Sequence, residues 1–322
     1  MRRLDSPRAR AAAMVFSAAA LWGLSGTVAQ SLMQGAGVGA AWLVCLRMLV
    51  AGGALALLAA VRLGGHALAA PWRTRAEAAH LVAFSLLGLF AVQFTYLAAI
   101  RASNAAAATF LQYVGSALVV VWGAARARRT PTLRQAAAVA AALAGIALLA
   151  TDGSPTDLAV PLPGLLWGLA AAVSLAVNTI LPAPLVRRHG ALAVLAWGML
   201  LGGGAGALLL RPAPWPPAAA HTEVLAEAGF VAILGTLVPF TLYMASMGAL
   251  TAAETALFAN AEPVAAAVAA ALWLHVRLGP WAMGGGALVL AATTDLYRRP
   301  PPAAPETAAT PAAAAGRRRN GA

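Results

Sequence analysis

The chain has 322 residues, 61% hydrophobic and only 10% charged, with a mean hydropathy of +0.78. A water-soluble protein of this size needs more polar surface than that, so the composition is that of an all-α integral membrane protein. The formal charge is +12 and every Lys or Arg position is Arg, but nearly all the arginines lie in short loops and tails, with no aromatic-studded basic stripe, which argues against nucleic-acid binding.

A membrane crossing needs roughly 17 to 25 mostly apolar residues. Residues 1–10, with Arg2, Arg3, Arg8 and Arg10, resemble the charged start of a secretory signal peptide, but the apolar run that follows is too long and has a counterpart later in the chain. It is read as the first of about ten transmembrane helices, with spans expected at 11–33, 39–61, 78–100, 104–124, 135–151, 160–182, 191–210, 225–248, 252–274 and 279–297. The single cysteine, Cys45, falls inside the second of these and permits no internal disulfide. Residues 298–322, rich in Pro, Ala and Thr and ending in Arg317-Arg318-Arg319, cannot bury a core and are expected to form a disordered cytoplasmic tail.

Orientation follows from arginine, which is enriched in cytoplasmic loops. With a cytoplasmic N-terminal tail over 1–10, the inner segments hold Arg62, Arg73, Arg75, Arg126, Arg128, Arg129, Arg134, Arg187, Arg188, Arg298 and Arg299 as well as the tail arginines, and the outer loops hold only Arg101, Arg211 and Arg277. Both termini are then cytoplasmic. Asp152 and Asp157 fall in an external linker, 152–159.

The chain also repeats itself. One constant shift sets Leu87-Gly88 on Leu234-Gly235, Tyr96 on Tyr243 and Ala98 on Ala245, and a slightly different shift sets Leu21-Trp22-Gly23-Leu24 on Leu166-Trp167-Gly168-Leu169. The halves are 11–151 and 160–297. Five spans per half is an odd number, so the second half enters the membrane in the opposite sense, giving the inverted repeats common in secondary transporters.

The Trp-Gly pair that opens each half, Arg47 within the second span, and Ala261-Glu262-Pro263 in the ninth resemble the EamA-like members of the drug/metabolite transporter superfamily. The resemblance covers almost everything from 11 to 297. It implies a basket of helices around a central cavity that is exposed alternately to the two sides, for export or uptake of amino acids or other small metabolites. Two features depart from the family pattern. Its usual Gly-Glu pair after the fourth and ninth spans is replaced by Arg126-Ala127-Arg128-Arg129 and His275-Val276-Arg277, and its usual Pro in the fourth span by Ser116, opposite Pro263.

Glu262 is the sharpest functional candidate, because an ionised carboxylate near mid-span is costly unless paired or facing water, and proton binding is the natural escape. Its alternative is a structural role beside Pro263. Glu254, about 12 Å below on nearly the same helical face, is either an inner relay or a charge favouring the helix N-terminus. Arg47 can neutralise a substrate carboxylate, pair with Glu262, or snorkel to the outer headgroups. Polar and aromatic residues at helical spacing could line an amphipathic cavity: Trp22 with Ser25, Gln93 with Tyr96, Gln112 with Ser116, Trp167 with Ser174 and Asn178, Thr236 with Phe240 and Tyr243, and Asn260. Otherwise they bond helix to helix, as Gly202 to Gly206 would pack helix on helix.

Gly23-Leu24-Ser25-Gly26 also matches the short pattern of intramembrane serine proteases. However, His66, His80, His189, His221 and His275 all lie in loops or at span ends, leaving Ser25 without a base. A non-transporting membrane scaffold is the other rival. No metal motif and no phosphate-binding loop with Lys is present, so neither cofactor nor metal is expected, and the chain is read as no enzyme. The reading is a secondary transporter of small metabolites, an exporter, multi-pass in the inner or plasma membrane, with the lipid bilayer and a small-molecule substrate as partners and homo-oligomer formation left open.

Overall fold

The computed structural model describes residues 7–298 except 129, 131, 155, 213–220, 247–248 and 251. The C-terminal tail expected to be disordered lies outside the described residues, apart from its first position. Among the described residues there is no strand. Ten long helices follow one another: α1 Pro7–Gly35, α2 Ala40–Leu63, α3 Arg75–Ala102, α4 Ala105–Arg126, α5 Leu133–Thr151, α6 Leu162–His189, α7 Ala191–Leu210, α8 Thr222–Ser246, α9 over Ala252–Ala259 and Ala261–Trp273, and α10 Pro280–Arg298. The first eight are long and apolar enough to cross a membrane, and Leu257–Trp273 is a shorter apolar helix. The protein is an all-α integral membrane fold. Its first helix starts at Pro7, so the last residues assigned to the N-terminal tail are helical.

Local chemistry sets where these helices begin. Thr74 caps α3 by accepting from the Glu77 amide (3.2 Å), Asn104 caps α4 through Ala107 (2.9 Å), and Thr132 with Gln135 forms a reciprocal capping box on α5. Asp152, at the end of α5, accepts from the Ala282 amide (2.7 Å) and so ties the linker to the first turn of α10.

Two irregularities occur in both halves at matching places. First, α3 and α8 each contain a π-helical segment, Phe84–Phe90 and Ile233–Leu237. Second, α4 is interrupted at Val114, between Ala105–Tyr113 and Gly115–Arg126, and α9 at Asn260. The shift that sets Tyr96 on Tyr243 also sets Tyr113 on Asn260. The spans expected to be continuous here are therefore each two helices. Glu262 lies in the first turn of the second piece of α9, not along an unbroken helix shared with Glu254. Pro263 lies in that same first turn, where its missing N–H leaves no helical bond unmade.

Helix pairing follows the repeat. α2 packs on α7 and α5 on α10. α3 and α4 both pack on α6, as α8 and α9 pack on α1. Exchanging each helix for the one five places on leaves this map unchanged. Glycines allow the closest crossings. A Cβ on Gly23 would collide with the carbonyl of Glu262 and the amide of Ala266, and one on Gly115 would collide with the carbonyl of Ala172. Gly202 and Gly206 sit against Met48 and Phe90, bringing α7 onto α2 and α3 as the glycine-rich run suggested.

Candidate functional site

A cavity of about 540 Å³ lies in the middle of the bundle. Its walls come from both halves: Trp22 and Ser25 on α1, Arg47 on α2, Gln93 and Tyr96 on α3, Gln112, Tyr113 and Ser116 on α4, Asn178 on α6, Phe240 and Tyr243 on α8, and Asn260 and Glu262 at the break in α9. It extends past Thr179, Ser246, Leu250, Thr255 and Thr293 to the bundle end that carries the turn between α8 and α9.

The opposite end is tied shut. Gln34 donates through its amide nitrogen to the carbonyls of Ile100 (3.0 Å), Arg101 (3.3 Å) and Ser103 (3.0 Å). Gln30 donates to the Gln34 side-chain oxygen (3.0 Å) and accepts from the Ala105 amide (2.8 Å). The end of α1 is thereby bonded across the turn between α3 and α4.

Of the residues expected to line a cavity, Trp22, Ser25, Arg47, Gln93, Tyr96, Gln112, Asn178, Tyr243 and Asn260 do so, as does Glu262. Four expected residues are placed elsewhere, Ser174 among them, which is buried and not part of this lining. Thr236 is fully buried behind Arg47, where it accepts a hydrogen bond from the guanidinium Nε (2.9 Å). Trp167 is 39% exposed and packs edge-on against Phe94 at 5.8 Å. Its counterpart Trp22 faces Phe240 (5.1 Å) and Tyr243 (5.8 Å), but the residue that matches Phe240 in the first half is Gln93, which offers no ring. Glu254 is paired with Arg8 (3.0 Å), and the interruption at Asn260 separates it from Glu262.

Arg47 does not snorkel. It is 5% exposed, with its head group in the protein interior, and no carboxylate lies within ion-pair distance of it among the described residues. The Tyr113 hydroxyl shares its one proton between the Ala259 carbonyl left over by the helix break (2.7 Å) and the Glu262 carboxylate (3.1 Å). Tyr113 was missed in the sequence because its side chain serves a break that no proline announces. Its nearest signal was position four after Thr109 on the same face.

Ser25 is 2% exposed and its hydroxyl has no hydrogen-bond partner; no histidine lines the cavity, so no imidazole base stands beside it there. The arrangement suits binding rather than bond-making: aromatic walls, a few amides and hydroxyls, one cation and one anion in a closed-ended chamber.

Comparison with known proteins agrees with this geometry. A solved crystal structure, 22% identical, superposes with a TM-score of 0.59 over 90% of this chain and 98% of its own, which shows a shared fold. An uncharacterized inner membrane transporter of Salmonella typhimurium, YicL, is 32% identical over 266 residues, 81% of this chain and 86% of that protein. The EamA-like transporter family matches residues 9–151 and again 162–297, one match to each half of the helix map. The chain belongs to the EamA-like transporter family.

Proposed function

We propose that this protein is a secondary transporter that exports small metabolites, amino acids or related compounds and drugs among them, by alternating access of the central cavity. The observation that carries the reading is the asymmetry of the bundle: one chamber between two pseudo-equivalent halves, reaching one end and bonded shut by Gln30 and Gln34 at the other. The arginine distribution puts both termini in the cytoplasm of an inner or plasma membrane, so the chamber as seen here faces inward. The halves 11–151 and 160–297 are the moving units, joined by the external linker 152–159.

Glu262 is the proposed proton-coupling residue. It lines the chamber, sits at a helix break and shares a hydrogen bond with Tyr113 across the α4–α9 contact, so its charge state is tied to how those two helices meet. Glu254, bonded to Arg8, is proposed to hold the inner end of α1 to α9 rather than to relay protons.

The test is Glu262→Gln, which keeps shape and hydrogen bonding but removes titration. In reconstituted vesicles, metabolites accumulated by a pH gradient in the parent are identified first. The variant is expected to lose that uphill flux and keep downhill exchange. Full pH-driven accumulation by the variant would reduce Glu262 to a structural partner of Tyr113. Orientation is tested separately in intact cells: a cysteine replacing Ser154 should react with an impermeant reagent, and one replacing Ala315 should not.

A further inference from the structure

Arg47 is a buried cation whose charge has no partner in contact with it. Its Nε is held by the Thr236 hydroxyl, whose own proton is committed to the Val231 carbonyl (2.8 Å) across the π-helical turn of α8. Thr236 therefore has only a lone pair to offer and fixes the guanidinium from behind. The other guanidinium nitrogens remain for the cavity that Arg47 lines.

Beside it on the same wall are two further buried polar groups: Ser25 at 2% and Gln93 at 6% exposure. Among the described residues, the Ser25 hydroxyl and the Gln93 amide nitrogen have no hydrogen-bond partner. Both can donate. A buried donor without a partner is costly, so two such donors beside Arg47 in the wall of one chamber point to an acceptor that belongs there.

We propose that Arg47, Ser25 and Gln93 form a subsite for the carboxylate of the carried molecule, with Thr236 as the positioning residue that aims Arg47. A single negative charge fits. The chamber also holds the acidic Glu262, so one arginine does not supply the positive field that a phosphate dianion needs, while a planar guanidinium edge matches a planar carboxylate. Trp22 stands in ring contact with both Phe240 and Tyr243 on the adjoining wall, which selects an apolar, preferably aromatic body behind the carboxylate. The substrate class is thus aromatic-bodied monocarboxylates. This assignment rests on the transporter reading for its biological meaning but not for its test.

The test is ligand-induced thermal stabilisation of the full chain purified in detergent, where no gradient is present. The probes are benzoate, phenylacetate and 3-phenylpropionate, each beside its neutral amide, with inorganic phosphate as a separate arm. At least one acid is expected to raise the unfolding midpoint while its amide does not. Arg47→Gln should abolish the shift, and Gln93→Leu should weaken apparent affinity about 10-fold. Thr236→Val should lower the acid-to-amide preference and Thr236→Ser should restore it, a readout that a merely structural role for Thr236 would not move.

Absence of a shift from every acid, equal shifts from acid and amide, or an unchanged shift in Arg47→Gln would each overturn the proposal. Equal stabilisation by phosphate would replace a carboxylate site by a general anion site and overturn the class. If Arg47→Gln does not fold, Gln93→Leu and the Thr236 pair decide. Loss of binding with intact pH-driven flux would refute this subsite alone, and intact binding without flux would refute the transport reading alone.

Discussion

The two ends of the bundle are built from matching parts but end differently. At one end the last turns of α1 meet the turn between α3 and α4; at the other, their counterparts are α6 and the turn between α8 and α9. The shift that sets Trp22 on Trp167 sets Gln30 on Leu175 and Gln34 on Thr179. Gln30 and Gln34 reach across and bond the neighbouring turn, whereas Leu175 and Thr179 line the open chamber, with the Thr179 hydroxyl turned back on its own helix at the Leu175 carbonyl (2.8 Å). Helix geometry is common to both ends. The ends differ in what these two positions carry.

The most forceful way to break this comparison is to remove the bonded end. Replacing Gln30 and Gln34 together by Ala deletes several backbone-directed hydrogen bonds. At about 2 kcal/mol in sum, that shifts an open–closed equilibrium roughly 30-fold. The reporter is Ala108→Cys in a Cys45→Ala background: Ala108 is fully buried and is the counterpart of the cavity-lining Thr255. Its maleimide labelling rate in purified protein is expected to rise by about that factor, and an unchanged rate would mean the glutamines only decorate a rigid seal.

A smaller effect is expected from the reverse change. Thr179→Gln gives the open end the donor it lacks, and one bond of about 1 kcal/mol should slow labelling of a cysteine at Thr255 roughly 5-fold. Faster labelling would show that the two ends do not obey one rule.

A third comparison uses the Trp-Gly pairs. Gly23 is pressed against the backbone of α9, but the atoms nearest Gly168 belong to the side chain of Leu111 rather than to backbone. Gly23→Ala is expected to destabilise the protein by about 1 to 3 kcal/mol, and Gly168→Ala by less than half of that, as measured by denaturation in detergent. The smallest expected effect is at the pair between α5 and α10. Arg134 holds Asp295 bidentately (2.7 Å to each oxygen), but both side chains are more than a third exposed, and Arg134→Ala should move the denaturation midpoint least of these changes.

Much of this architecture was legible in the sequence, because lipid permits few solutions. Apolar run lengths gave the spans, and the Tyr96–Tyr243 shift gave the repeat. Trp22, Ser25, Arg47, Gln93 and Asn178 reached the cavity because polar groups in a membrane helix turn from lipid. The breaks in α4 and α9 were not legible. Val114 carries no breaker, and Pro263 comes after the interruption, where it reads as a kink although it is the start of a new helix. The repeat did not show where Trp167 goes, because the position matching Phe240 is Gln93 and the Trp167 ring packs on Phe94 instead. Thr236 was misplaced by a helix that does not keep its period.

That last irregularity has a consequence for experiments on α3 and α8. A π turn amounts to one residue added to an α-helix, and one residue is worth about 100° of rotation. Everything after Phe90 or Leu237 therefore faces a direction that a uniform helical wheel assigns to another residue. Point substitutions can be screened along these helices without disturbing that phase, but a single deletion inside Ile233–Leu237 would reset it. It would turn Phe240 and Tyr243 away from Trp22 while leaving every side chain in the sequence otherwise intact.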